Sequence, residues 1–170
     1  LQKEKSSLKK EQQKKTEIGI VIKRDLLESQ VKVTYLAIGS NLGNKLENIE
    51  KAKFSLQNCN IKITQCSSNF ESVSWPNALN PKFINIVIEI KTNLHPIELL
   101  KICKLIEKKL GRKKSTLNAP RSCDIDIIDY QQKIINFQED QLILPHPRMS
   151  SRNFVLLPLF EINKSWKHPK

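Results

Sequence analysis

Asp124 and Asp126 stand two residues apart in the run Pro120-Arg121-Ser122-Cys123-Asp124-Ile125-Asp126-Ile127-Ile128. In an extended strand, residues i and i+2 point to one face, so the two carboxylates would stand side by side, roughly 6–7 Å apart. At that spacing two hard cations, about 3.5–4 Å from each other, can share both groups. Ile125 and Ile127 then face the opposite way, into a core. Arg121 adds a fixed positive charge at the same end of the strand. An acid pair with an arginine points to bound metal and bound phosphate. The same alternation also fits a strand whose polar face meets water. The surrounding elements have to decide between the two.

With 170 residues the chain is long enough for one domain with a core and some excess. The hydrophobic fraction is 39% and the aromatic fraction 6%, so aliphatic packing must dominate. No apolar run is long enough to span a membrane, and the polar N-terminus has no secretory h-region. Cys59, Cys66, Cys103 and Cys123 lack metal-ligand spacing and read as reduced thiols, so the expected location is cytoplasmic. A net charge of +12 favours an anionic partner, either a nucleic acid or a polyphosphate. No basic motif interleaved with aromatics is present, which weighs against nucleic acid.

Residues 1–32 form a basic, polar extension with too little apolar surface to fold alone. A short strand is expected at 18–22, as in the tail of a preceding domain. The run Val33-Thr34-Tyr35-Leu36-Ala37-Ile38-Gly39 reads as a buried strand. Asn44, with Glu47 three residues on, reads as a helix cap, followed by an apolar stripe of Leu46, Ile49, Ala52 and Leu56. A strand is expected around Ile61 to Gln65, then a long loop from Ser67 to Lys82 containing Trp75. The next strand has Ile84, Ile86, Ile88 and Ile90 on its core face and Phe83 and Asn85 on the other. A ring beside an amide suits a flat, hydrogen-bonding heterocycle, although taken alone the pair is better explained by a cross-strand packing Phe and a turn-associated Asn.

Pro96 opens a second helix, with Leu99, Cys103, Ile106 and Leu110 in one stripe and Gly111 as its stop. Lys104 and Glu107 lie three apart on its flank. After the acid-pair strand come a hairpin piece through Leu142, Ile143 and Leu144, His146 held between two prolines, and a last helix. Ser151 would cap that helix and Pro158 would interrupt it. A lone histidine such as His146 is more often structural than catalytic. The element order is that of an α+β, ferredoxin-like βαββαβ sandwich: an antiparallel sheet with helices packed on one face, plus a C-terminal hairpin and helix.

From about Val33 to Trp166 the chain resembles the 6-hydroxymethyl-7,8-dihydropterin pyrophosphokinase family of folate synthesis. The resemblance is carried by Ala37-Ile38-Gly39-Ser40-Asn41-Leu42-Gly43, Phe83-Ile84-Asn85, Glu107-Lys108-Lys109-Leu110-Gly111-Arg112 and Pro120 to Asp126. It continues through Leu144-Pro145-His146-Pro147-Arg148-Met149 and Arg152-Asn153-Phe154-Val155-Leu156. It implies transfer of the β,γ-pyrophosphoryl group of ATP to the pterin's hydroxymethyl oxygen, with release of AMP. It also implies two Mg²⁺ ions held by Asp124 and Asp126, with Arg112 and Arg121 taking charge off the phosphate oxygens. His146 and Arg152 fall on further phosphate contacts. Phe83 and Phe154 fall on the two faces of an aromatic sandwich. Asn85, Ser72, Val73 and Trp75 fall on the pterin's edge and the loop beside it. Ile127, Leu142 and Ile143 would line the adenine side, with Lys104 and Glu107 next to the nucleotide.

The chain departs from the family pattern in several places. Lys104 stands where Gln is common. Lys114 stands near a second loop arginine and lacks its bidentate fork. Asn118-Ala119 replace the usual Trp-Gly, Pro147 follows His146, and the C-terminus ends early. These departures leave room for a decayed or low-activity domain that still binds pterin or nucleotide within a fused folate-pathway protein. Dihydroneopterin aldolase and dihydropteroate synthase are the neighbours such a fusion would bring. No nucleic-acid or membrane partner is expected.

Overall fold

The computed structural model describes residues 33–112 and 118–169, all within the unit Val33–Lys170. The expected strand at 18–22 and the phosphate contact at Lys114 lie outside the described residues. The elements run β1 (Thr34–Ser40), α1 (Lys45–Asn58), β2 (Lys62–Cys66), β3 (Phe70–Ser72), β4 (Phe83–Lys91) and α2 (Pro96–Lys109). They continue with β5 (Asp124–Tyr130), β6 (Ile135–Phe137), β7 (Leu142–Leu144), a 3-10 turn (Met149–Ser151) and α3 (Asn153–Ile162). The sheet order is β2-β4-β1-β5, with β3 also paired to β4, and each of these pairings is antiparallel. β6 and β7 form a separate hairpin. The molecule is α+β.

Alternation along the strands divides the sheet into two faces. Leu36, Ile38, Ile86, Ile88, Ile90, Ile125 and Ile127 pack in one core with Ile49, Ala52 and Leu56 of α1 and Leu99, Cys103 and Ile106 of α2. Leu46, expected in the α1 stripe, is instead exposed. Tyr35, Val87 and Ile128 point to the other face and pack with Met149, Val155 and Leu159. Helices therefore cover both faces of the sheet, not one. The apolar side of α3 needs its own partner, and the strand residues left over by the first core provide it.

Both long helices start on side-chain caps. Asn44 Oδ1 accepts from the Glu47 N–H at 3.3 Å, as expected. α2 has a capping box that its sequence does not advertise. His95 Nδ1 accepts from the Ile97 N–H, and Glu98 accepts from the His95 N–H at 3.0 Å. Gly111 ends α2 at φ +86°, in the left-handed region that glycine enters without a Cβ clash. Ser151 does not cap α3. It lies in the 3-10 turn, and its hydroxyl donates to the Arg148 carbonyl at 3.1 Å. Nor does Pro158 end α3, which continues to Ile162. The missing N–H removes one rung, but Val155, Pro158 and Leu159 are buried against the sheet and hold the helix in place.

A polar frame fixes α3 from below. Thr64 Oγ1 and Tyr35 Oη donate to the two oxygens of Glu89, at 2.7 and 2.9 Å. Asn163 Nδ2 donates to Tyr35 Oη at 2.8 Å, and Trp166 Nε1 to Asp129 at 2.7 Å. Burial pushes the Tyr35 phenol up to about 12, so it stays a donor. On the outer side, the Ser68 N–H and hydroxyl both donate to Glu161. These bonds set the position from which α3 presents Phe154, and its N-cap Arg152, to the sheet.

Candidate active site

On the α3 side of the sheet lies a cavity of about 620 Å³. Its floor is β1, where Ala37 and Gly39 leave space because neither has a long side chain. Gly39 is paired with Asn85 on one side and Asp124 on the other, so these three residues form a row across the sheet. With about 4.8 Å between strands, the two outer positions are roughly 10 Å apart. A Cβ on Gly39 would lie 3.0 Å from Asn85 Oδ1 and 3.4 Å from the Phe83 ring. Glycine is therefore what keeps the slot beside Phe83 open.

The β4 side of this row is mostly apolar. Phe83, Asn85, Val73, Trp75, Ser72 and Phe154 line it. Asn85 Nδ2 donates to Ser72 Oγ at 2.9 Å and to the Phe70 carbonyl at 3.3 Å. Those bonds use up its donors and leave Oδ1 as the acceptor offered to the slot. Trp75 lines the cavity but is largely exposed.

The β5 side is charged. Asp124 and Asp126 both line the cavity, as the two-residue spacing requires, together with Lys104, Arg112, Arg121, Arg148 and Arg152. Five cationic side chains against two carboxylates leave this end with excess positive charge, which suits a polyanion. Asp124 Oδ1 accepts from Arg112 Nη1 at 2.6 Å, and Oδ2 from Arg121 Nη1 at 3.0 Å. Burial works against its charge, but Arg121 and Arg112 outweigh burial and hold the carboxyl below its usual range. Asp126 is bound more loosely, with Arg152 Nη1 at 3.7 Å and His146 Nε2 at 4.0 Å. His146 Nδ1 accepts from the Arg148 N–H at 3.1 Å, so the neutral ring carries its proton on Nε2, facing Asp126. Burial, with Arg152 and Arg148 adding to it, outweighs the Asp126 charge and lowers the His146 pKa below its ordinary value, favouring that neutral form.

Among the described residues no three His, Cys, Asp or Glu side chains gather into a self-sufficient metal cage. Two hard carboxylates open to a cavity nevertheless fit Mg²⁺, which takes one or two carboxylates and fills its octahedron with water and substrate phosphates. Asp124 and Asp126 are the residues that would hold it.

The expected site residues mostly converge here. Ile127, Leu142, Ile143, Glu107 and His146 do not line the cavity, and His146 reaches it only through Asp126. Ile127 and Leu142 are buried in the first core, and Ile143 is exposed on β7. The Glu107 side chain is only 3% exposed, and its carboxylate accepts from the Ile125 N–H, Lys104 and Arg112. It braces two cavity cations and the strand segment between the acids. Arg148, Asn118, Ala37 and the glycine floor line the cavity, but no site role was assigned to them from sequence. The Gly39 requirement was readable in principle, since a small residue had to separate the Phe83-Asn85 pair from the acids.

Residues 35–164 match the family described as 7,8-dihydro-6-hydroxymethylpterin-pyrophosphokinase (HPPK). The chain belongs to this family. It carries the pyrophosphokinase domain of folate biosynthesis. It is 39% identical over 131 residues to the 2-amino-4-hydroxy-6-hydroxymethyldihydropteridine pyrophosphokinase of Bacillus subtilis, covering 76% of this chain and 77% of that protein. It is 42% identical over 135 residues to the folic acid synthesis protein fol1 of Pneumocystis carinii, covering 79% of this chain and 18% of that protein. The chain thus spans less than a fifth of the fungal relative's length. In fold it resembles a solved HPPK-DHPS structure in complex with substrates, with a TM-score of 0.61 at 16% identity, over 81% of this chain and 41% of that one. Among the described residues no helix is long and apolar enough to cross a membrane.

Proposed function

We propose that the chain transfers the β,γ-pyrophosphoryl group of ATP to the hydroxymethyl oxygen of 6-hydroxymethyl-7,8-dihydropterin. The observation that carries this reading is the Asn85-Gly39-Asp124 row, which joins an aromatic slot and an acid pair within one cavity. The alcohol oxygen attacks the β-phosphorus, the bond from that phosphorus to the oxygen bridging the α-phosphate breaks, and AMP leaves. Two Mg²⁺ ions at Asp124 and Asp126 would neutralise the triphosphate and acidify the attacking alcohol. Arg112 and Arg121 orient Asp124 and spread charge from the phosphate oxygens. Arg152 and the Nε2–H of His146 add donors on the Asp126 side. Phe83 and Phe154 hold the two faces of the pterin, and Asn85 Oδ1 accepts from a ring N–H.

We read the fold as ferredoxin-like, which the order β2-β4-β1-β5 supports, and the chain as acting in the cytoplasm beside or fused to other folate enzymes. The HPPK-DHPS match and the length of fol1 support such a fusion. With both acids and five cations lining one cavity, a decayed binding domain is the weaker reading. An RNA-binding face is disfavoured as well, because α3 covers part of the sheet and the acid pair occupies β5.

The deciding experiment is AMP release from ATP with and without the hydroxymethyl pterin, in Mg²⁺ and in chelator. AMP is expected only when pterin and metal are both present, and AMP release independent of pterin would sink the reading. Phe83→Ala should weaken pterin binding by about 10–100-fold, the order expected for losing a stacked aromatic, and leave ATP binding within about twofold. Calorimetric titration with each substrate checks this, and equal losses for both would point to misfolding. Gly39→Ala should raise the KM for pterin about tenfold through overpacking of the slot, with the KM for ATP little changed in steady-state kinetics.

A further inference from the structure

Asn41 follows β1 directly and is 2% exposed. Its amide Nδ2 donates to Ser74 Oγ at 3.2 Å and to the Pro81 carbonyl at 3.1 Å. Ser74 Oγ itself donates to the Pro81 carbonyl at 2.6 Å, which closes the neck of the loop between β3 and β4. On its other side, Asn41 Oδ1 accepts from the Arg121 N–H at 2.7 Å, and the Asn41 N–H donates to the Arg121 carbonyl at 3.1 Å. The requirement on this side chain is two-sided. The Pro81 carbonyl can only accept and the Arg121 N–H can only donate, so one group must offer a donor to one side and an acceptor to the other. A primary amide of asparagine length does this; a carboxylate, a methyl or a hydrocarbon does not.

The two segments joined in this way belong to opposite halves of the cavity. The loop neck continues into Val73 and Trp75 on the aromatic side, and Arg121 holds Asp124 on the charged side. We propose that Asn41 is a positioning residue that ties the pterin-side loop to the Arg121-Asp124 pair, so that its loss loosens both halves of the cavity. The kinetic part of this inference rests on the pyrophosphoryl-transfer reading; the structural coupling does not.

The test compares the full chain with Asn41→Ala, Asn41→Asp and Ser74→Ala, by steady-state kinetics and by hydrogen exchange. Asn41→Asp keeps the acceptor for Arg121 and loses the donors to the loop neck. It should raise the KM for pterin about tenfold, the order for one or two lost buried hydrogen bonds, with kcat within about threefold. Exchange should speed up in residues 74–81 only. Ser74→Ala should act in the same direction, more weakly. Asn41→Ala loses both sides, so kcat should also fall about tenfold and exchange should speed up at 119–123 as well. Should Asn41→Ala fail to fold, the other two variants carry the comparison. Kinetics and exchange unchanged in all three variants would overturn the proposal. So would an identical loss in Asn41→Asp and Asn41→Ala that merely tracks melting temperature. If the wild-type chain releases no pterin-dependent AMP, the reaction reading fails, and the exchange pattern alone decides the coupling.

Discussion

Asp126→Ala is expected to lower Mg²⁺-dependent AMP formation by about a thousandfold while the melting temperature moves by only a few degrees. The expected loss in rate follows from position. Asp126 lines the cavity, is one of the two carboxylates that would hold metal in the proposed reaction, and is the one not bound closely by an arginine. Losing one such electrostatic group at a phosphoryl-transfer site is worth about two to three orders of magnitude in rate. The small change in stability follows from the same geometry. The nearest cations stand 3.7 and 4.0 Å away, and loosely held, part-exposed pairs contribute about 0–1 kcal/mol. Asp124→Ala should differ, because it would strip Arg112 and Arg121 of their shared partner and disturb the fold as well as the chemistry. AMP assays paired with calorimetric melting separate the two variants. Near-wild-type turnover in Asp126→Ala would refute the metal role.

The acid pair was legible from sequence because strand periodicity leaves no choice: residues two apart share a face, whatever the rest of the chain does. The isoleucine face of β4 and the Asn44 cap were legible for the same kind of local reason. That periodicity also contained a warning about Ile127. It neighbours Asp126 in the strand, so it points away from the cavity, and the structure places it in the first core. Its expected place on the adenine side came from resemblance alone and conflicted with the alternation. The position of α3 on the second face was not legible, because it depends on Tyr35, Glu89, Asp129, Asn163 and Trp166, which meet only after folding. Asn41 was hidden for a similar reason, since its partners Ser74, Pro81 and Arg121 are 33 to 80 positions away. Glu107 was misleading in a different way. Its spacing from Lys104 gave only a pair on the helix flank and the resemblance placed it next to the nucleotide; only the arrival of β5 buries it.

That burial makes Glu107→Ala the variant with the largest expected effect on stability. One carboxylate accepts from the Ile125 N–H at 2.8 Å, from Lys104 Nζ at 2.8 Å and from Arg112 Nη1 at 2.5 Å. Removing it leaves a buried N–H unsatisfied between the two acids and withdraws charge compensation from two cations. Breaking a buried pair costs about 3–5 kcal/mol. Lys104 and Arg112 are partly open to water, which screens their share and brings the expectation to about 2–3 kcal/mol. For a domain of this size that is a fall of about 6–12 °C in Tm. Glu107→Gln keeps an acceptor for the Ile125 N–H while losing the charge, so it should recover roughly half of the loss. The kinetic effect should separate from the thermal one. Arg112, released from Glu107, rests on Asp124 alone, so below the melting transition the KM for ATP should rise in both variants while the KM for pterin stays near its wild-type value. Differential scanning calorimetry and initial-rate kinetics at 25 °C read the two effects independently. A Glu107→Ala protein melting within 2 °C of wild type would show that the carboxylate does not brace β5.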